Sequence, residues 1–383
     1  MIGGGRLSLA GATLLNGYLI TAVTMCDVYR PTVTHVTPEV IPAALAIAEQ
    51  GAAAGRDLIV ALAAGCEATT RIGLGLDYPQ FRKRGWHGPG VIGPFGAAAA
   101  AGRLLRFDAD TMARAFGLAG SQAAGTFAAW GTPTVKFHQC RGALSGLMAA
   151  LLAGENFQAT REFLTAPDGG LYDTYTDGGR PEEVTRELGS RWELQQIGLR
   201  LWPCGSAIQG LITAIFDLVH EHGVGPAELR KLSVTLSSLA FRMHGNSRNY
   251  QGKFEAMISA HYAAAVILHD RELSLSQYER TRYEDPALRA FAASRIEVKQ
   301  DDALSDLHVI VVAHMADGSS VRVECQNARG TPENPLSRGD IQAKFRTYAS
   351  SRLPASAIDG VIDAVANLED VNAVGDLMSL LRS

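Results

Sequence analysis

The chain has 383 residues, with 35 Lys and Arg against 39 Asp and Glu, a formal net charge of −4. That near balance lacks the basic excess a nucleic-acid backbone binder needs, and 47% hydrophobic with 19% charged residues excludes a disordered chain. Cys26, Cys66, Cys140, Cys204 and Cys325 are odd in number and scattered, which argues against a disulfide scaffold, a CxxC metal site and an iron–sulfur cluster. The N-terminus, MIGGGRLSLAG, has no basic region followed by an apolar core, so no signal peptide is expected. No stretch approaches about 18 apolar residues without polar breaks, so neither a span nor a membrane partner is expected. Reduced cysteines point to the cytoplasm.

Pro38 opens a helix expected over 38–66, where Ala, Ile, Leu and Glu recur with helical spacing. Residues 93–105 (GPFGAAAAAGRLL) form a second helix, thin enough for a neighbour to pack closely. Helices continue over 109–127 and 140–156, where Gly142, Ala143, Ser145, Gly146, Ala149 and Ala150 again keep side-chain bulk small. The first half therefore reads as a bundle of thin helices. Residues 165–181 carry turn chemistry throughout and read as a loop. From about 196 the character changes. A helix follows Pro203 within 200–219, and 230–241, 295–299, 307–315 and 320–326 read as strands. Asp317-Gly318 marks a hairpin between the last two. A helix over 255–269 separates the strands. From Ser337 the chain is helical again, with Ser337 and Asp340 placed as an N-cap pair and apolar residues recurring at Ile358, Val361, Ile362, Val365 and Leu368. Pattern alone thus gives a helical part, an α+β part of roughly 130 residues, and a helical return.

Three clusters carry candidate chemistry. His87 lies in GWHGPGVIGPFGAAAAA, where glycines at 85, 88, 90, 93 and 96 allow tight turns before a helix. The helix start offers unpaired N–H groups and a positive dipole end, fit for a carboxylate, with His87 beside it as acid, base or donor. A glycine-rich connector with a surface histidine fits the same residues. No strand precedes the glycines, so this is not a dinucleotide fingerprint. Lys136, His138 and Arg141 follow Pro133. Lys136 and His138 would share a face in an extended segment, whereas a helix would bring His138 to Arg141. Three potential cations in six residues suit an anionic substrate; a solvated helix start is the alternative. His35 lies in a Pro-interrupted loop with Asp27, Tyr29 and Arg30, where an Asp/His pair could move protons. Cys204 reads as a small buried side chain. His308 and His314 fall on strands, where packing or exposure explains them better than metal binding.

These stretches resemble the MmgE/PrpD family, which includes 2-methylcitrate dehydratase, cis-aconitate decarboxylase and iminodisuccinate epimerase. The matching segments run in order: LLNG at 14–17, THVTPEVIPAALAIAE, GWHGPGVIGPFGAAAAAGRLL, KFHQCRGALSGLMAALLA, LWPCGSAIQ, EAMISAHYAAAVIL and GTPENPLSRGDIQAKF. The resemblance covers essentially the whole chain. It implies a mainly α fold: a large all-helical domain formed by both chain ends (1–195 and 331–383) plus a smaller α+β lid domain (196–330). It further implies an active site between them that uses no metal or organic cofactor, acts on small polycarboxylates, and belongs to a homodimer.

This chain departs from the family pattern in several places. It starts about 70 residues later than domain-length expectation would place it. The family's acidic LDxDD stretch is here MCDVY, leaving Asp27, and the decarboxylase threonine falls near Tyr29. The family's Lys-x-x-His becomes Lys136-Phe137-His138. Gln209 stands where a histidine of the α+β part is expected, and an amide does not titrate near neutrality.

The sequence reading is therefore a lyase, a dehydratase or decarboxylase of a di- or tricarboxylate, that removes a proton α to a carboxylate. His35, His87, Lys136, His138 and Asp27 are the expected catalytic residues. Tyr29, Gly88, Gly90, Arg141, Cys204 and Gln209 are the expected substrate contacts. An epimerase on the same fold and a catalytically silent ligand-binding homologue are the alternatives.

Overall fold

A computed structural model describes residues 2–246 and 248–382. Its contacts divide the chain into two units. One comprises the N-terminal residues up to Ala22, Cys26–Ile197, and Ser337 to the C-terminus; the other comprises Val23–Met25 and Gly198–Leu336. The fold is mainly α with a small α+β portion.

The helical unit is built from α1 (Leu9–Ala22), α2 (Thr37–Gln50), α3 (Gly55–Gly75), α4 (Tyr78–Lys83), α5 (Gly88–Leu104), α6 (Ala109–Gly120), α7 (Thr134–Gly154) and α8 (Leu171–Tyr175). Three helices of the C-terminal return, Arg338–Ala349, Ala355–Ala366 and Val374–Leu380, complete it. The single helix expected over 38–66 is two. The chain turns at Gly51-Ala52, where Ala52 takes a left-handed conformation (φ 46°), and α3 then runs on to Gly75. By length and composition α3 could cross a bilayer. It instead carries a buried Glu67–Arg71 ion pair (2.5 Å), and its Gly65, Thr69 and Gly73 pack into the unit.

The centre of this unit is α5. Every residue from Gly88 to Gly102 is buried. The helix begins at Gly88, five residues before the expected 93–105 segment, so Gly88, Gly90 and Gly93 are helical and not part of a turn. Their role is closeness. A Cβ on Gly93 would meet the Glu39 carboxyl at 2.6 Å, and one on Gly90 the Ala124 carbonyl at 2.1 Å. Gly65 of α3 and Gly96 of α5 face each other, each Cβ position lying 2.7 Å from the other's carbonyl oxygen. The loop expected over 165–181 includes the short helix α8, whose Leu171 and Tyr172 are buried beside α5 residues such as Ile92 and Phe95.

The other unit holds a four-stranded sheet in the order Ile296–Gln300, Leu229–Leu236, Val309–Met315, Ser320–Cys325. The first pairing is parallel and the other two are antiparallel, with Val234 opposite both Val298 and Val311 and Val311 opposite Val323. Leu232, Val234 and Leu236 alternate onto a buried face with helices Gln209–His220 and Ala260–Asp270. The strand expected over 230–241 ends at Leu236, because the Ser237 hydroxyl caps a following helical turn. Ser259 likewise splits the expected 255–269 helix into Lys253–Met257 and Ala260–Asp270 by accepting from the Tyr262 N–H. The Asp317-Gly318 turn forms as expected, with Gly318 at φ 90°. So does the capping box at Ser337 and Asp340. His308 bonds Glu324 (2.8 Å) and His314 contacts Ser233 (3.4 Å), as expected of side chains used in strand packing.

The α3–α5 contact yields a prediction with a built-in control. Gly65→Ala places its methyl against the Gly96 carbonyl and Val40, and overpacking of this kind costs about 1–3 kcal/mol. Gly375→Ala, in a helix with open space around it, gains up to about 1 kcal/mol from reduced unfolded-chain entropy. Urea midpoints are expected to move in opposite directions.

Candidate active site

The site residues of the helical unit are placed by main-chain contacts. Trp86 and Thr126 form an antiparallel bridge, and the His87 N–H donates to the Gly125 carbonyl (3.0 Å). The 85–87 segment is thereby laced to the 125–127 segment, and His87 becomes the N-cap of α5 with no side-chain cap bond of its own. The glycine at 88 matters here. A Cβ there would meet the Thr34 hydroxyl at 2.8 Å, so the start of α5 abuts the turn that leads to His35. The first-turn positions Gly88 and Gly90 remain as candidate backbone contacts for an anion, now as part of a helix start.

His138 lies in the second turn of α7, which starts at Thr134. Lys136 and His138 therefore do not share an extended face. Two helical positions apart they point in different directions, Lys136 buried (4% exposed) and His138 half-buried. His138 meets His87, Nδ1 to Nδ1, at 3.0 Å. Gly125, at φ 128°, supports the pair; a Cβ there would lie 3.1 Å from the His138 Nδ1. Phe127 packs edge-on to His87 (5.7 Å) and carries the Arg82 guanidinium on its face (3.5 Å). Burial pushes His87 well below the ordinary imidazole value, and the positive charges of His138, His35, Arg82 and Lys136 push it further. His138 is lowered by burial and by Arg141. Both rings are thus held neutral near pH 7. His35, His87, Lys136 and His138 share one electrostatic neighbourhood.

Asp27 acts here through both its carboxyl and its main-chain carbonyl. Its carboxyl accepts from the N–H groups of Val36 (2.7 Å) and Thr37 (2.9 Å) and from the Thr37 hydroxyl, so it ties down the start of α2. His35 is oriented by the Asp27 backbone carbonyl, to which its Nδ1 donates (2.6 Å). A carbonyl only accepts, so Nδ1 carries the proton and Nε2 is the accepting nitrogen.

Four expected substrate contacts are committed to the protein. Tyr29 is fully buried and its hydroxyl donates to Glu193 (2.6 Å). The Arg141 guanidinium donates to the carbonyls of Gln122 (2.9 Å), Gly90 (3.0 Å) and Ala124 (2.9 Å) and to the Ser145 hydroxyl (3.2 Å). It holds the loop that holds His87. In the α+β unit, the Gln209 amide donates to the Cys204 sulfur (2.9 Å) and the Trp202 carbonyl (3.0 Å), and both Cys204 and Gln209 are buried.

Sequence reading missed three contributors. Gly125 gives no signal apart from being a glycine outside a recognised motif. Glu67 accepts from Arg71, Glu193 N–H and Leu194 N–H, while Arg71 reaches the carbonyls of Val184, Arg186 and Arg191. Their i,i+4 spacing was the available clue. Glu39 is fully buried and neither carboxyl oxygen has a hydrogen-bond partner. Burial first, then Asp27 and Cys26, raises it well above the usual carboxylate range. Among the described residues, no group of three His, Cys, Asp or Glu side chains is disposed to hold a metal.

A helical unit drawn from both chain ends, an α+β unit, and histidines seated at the starts of buried glycine-rich helices define a class of two-domain enzyme scaffold. The chain belongs to the MmgE/PrpD family: the family's N-terminal domain matches residues 1–184 and its C-terminal domain residues 202–370. It is similar to a cis-aconitate decarboxylase-like protein of Aspergillus oryzae, 28% identical over 98% of this chain and 83% of that protein. It is also similar to the cis-aconitate decarboxylases of Aspergillus terreus (28%; 99% and 82%) and Homo sapiens (25%; 98% and 80%).

Glu39 provides a pH prediction. A folded-state value raised above the ordinary 4.5 means the folded protein keeps a proton that the unfolded chain loses. Its contribution to stability is full below that ordinary value and is lost as pH rises toward the folded one. Glu39→Gln removes the titration, so stability should decline less between pH 5 and 8, by at most about 1.4 kcal/mol per pH unit. Urea melts across that range read the slope.

Proposed function

We propose that this protein is a lyase acting on a small unsaturated or hydroxylated tricarboxylate, with decarboxylation of a cis-aconitate-like substrate as its reaction. The observation that carries the reading is the His87–His138 contact, with the buried Lys136 acting electrostatically on His87, in a chain whose relatives are named for that decarboxylation. Loss of CO2 leaves an electron pair on carbon next to a remaining carboxylate. Dehydration reaches the same kind of charge by removing a proton. Either reaction needs fixed positive charge and a group that moves a proton at that carbon.

The side chains divide these tasks. Lys136 supplies positive charge in a buried setting, where electrostatic stabilisation is strongest. The amides at the start of α5 add partial positive charge. His87 and His138 exchange the proton, since neutral imidazoles near pH 7 can both accept and donate. His35, with its proton fixed on Nδ1, is a further candidate for proton transfer. Arg141 acts at one remove, by holding the loop that positions His87.

Incubation with cis-aconitate and with hydroxy-tricarboxylates in D2O tests the reading by proton NMR and a coupled CO2 assay. Release of CO2 or loss of water is expected. Solvent deuterium entering substrate without either loss would replace the lyase with an epimerase. No turnover and no exchange would sink both. In the active protein, His87→Gln should lower kcat by about 10²–10⁴-fold, and Lys136→Met by about 10²–10³-fold.

A further inference from the structure

The contact between His87 and His138 joins like atoms, Nδ1 to Nδ1, at 3.0 Å. A hydrogen bond between two ring nitrogens needs one proton and one lone pair. One ring therefore carries its proton on Nδ1, and the other presents a bare Nδ1. In neutral rings this forces the opposite arrangement on the far side. The first ring has a bare Nε2, and the second has an Nε2–H.

From this geometry we propose that His87 and His138 work as one proton-sharing unit in reciprocal tautomers, one ring offering a base and the other an acid, with the roles exchanging in each turnover. The proposal deepens the lyase reading and rests on it for the identity of the substrate.

The structure holds the pair to that arrangement. His87 is fixed through its own N–H to Gly125, and Gly125 backs the His138 ring. The surroundings keep both rings from taking a second proton. The charges of His35, Arg82 and Lys136 act against a second proton on His87, and that of Arg141 against one on His138.

The proton balance closes. As the C–C bond to the departing carboxylate breaks, its electron pair stays on the substrate carbon framework and takes the Nε2 proton of the donor ring. The Nδ1 proton crosses the 3.0 Å contact to that ring. The other ring then takes a proton from water at Nε2, and the hydroxide leaves with CO2 as bicarbonate. Both rings end neutral, with their tautomers exchanged.

The test needs no substrate, so its failure is distinct from failure of the lyase reading. The full chain is labelled with ¹⁵N-histidine and examined near pH 8. A ¹⁵N–¹⁵N coupling across the hydrogen bond, between two histidine Nδ1 nitrogens, is expected. Two-bond ¹H–¹⁵N spectra should show one of these rings as the Nδ1–H form and the other as the Nε2–H form. His138→Asn, which keeps a polar group near the Nδ1 position, should assign the peaks and shift the His87 nitrogens. With substrate, the same variant should lose kcat at least tenfold with KM little changed, because it bonds His87 without passing a proton on. Two Nε2–H rings with no coupling would overturn the proposal. So would a His138→Asn enzyme with unaltered kcat and pH profile.

Discussion

The backbone of α5 must come within contact distance of four neighbours at once, and the rest of the helical unit follows from that requirement. Side chains on Gly90, Gly93 and Gly96 would overlap the 124 carbonyl, the Glu39 carboxyl and the Thr69 hydroxyl. With those positions empty, α2, α3, α7 and the 121–127 loop crowd onto one axis. This crowding, more than any ion pair, brings His87 and His138 into contact. Interiors pack at crystal-like density, so a site built by backbone approach is positioned by the least compressible parts of the protein.

Charge is distributed to match. The two buried acids of this region, Asp27 and Glu39, are handled differently. The Asp27 carboxyl is engaged at the start of α2, and burial raises the Glu39 carboxyl well above the usual carboxylate range. The charges of His35, Arg82 and Lys136 bear on His87, and that of Arg141 on His138. The imidazoles, lowered by burial and by that same positive charge, stay neutral and able to pass protons.

Features that depend on neighbours in sequence were legible. The hairpin at Asp317-Gly318 and the capping box at Ser337 and Asp340 are set by residues within a few positions, and they form where the sequence places them. The alanine-rich helices and the α+β segment also follow from local periodicity. The glycines at 88–93 were ambiguous because glycine serves both turns and close packing; only the neighbours at Glu39 and Ala124 decide which. Lys136 and His138 were ambiguous by one choice of backbone, helix or strand. The commitments of Arg141 and Tyr29 were illegible for a deeper reason. Their partners, Gly90 and Glu193, are remote in sequence, and most of the Arg141 acceptors are main-chain carbonyls that no side-chain pattern announces.

Arg141 grips its loop by atoms that every amino acid possesses. Three of its four acceptors are peptide oxygens, at Gln122, Ala124 and Gly90. The identity of the side chain at 122 or 124 is therefore irrelevant to that grip. The side chains of this stretch can change while one guanidinium keeps its contour. Shape and side-chain identity are uncoupled in the same few residues, so the loop beneath His87 can vary in composition without losing its anchor.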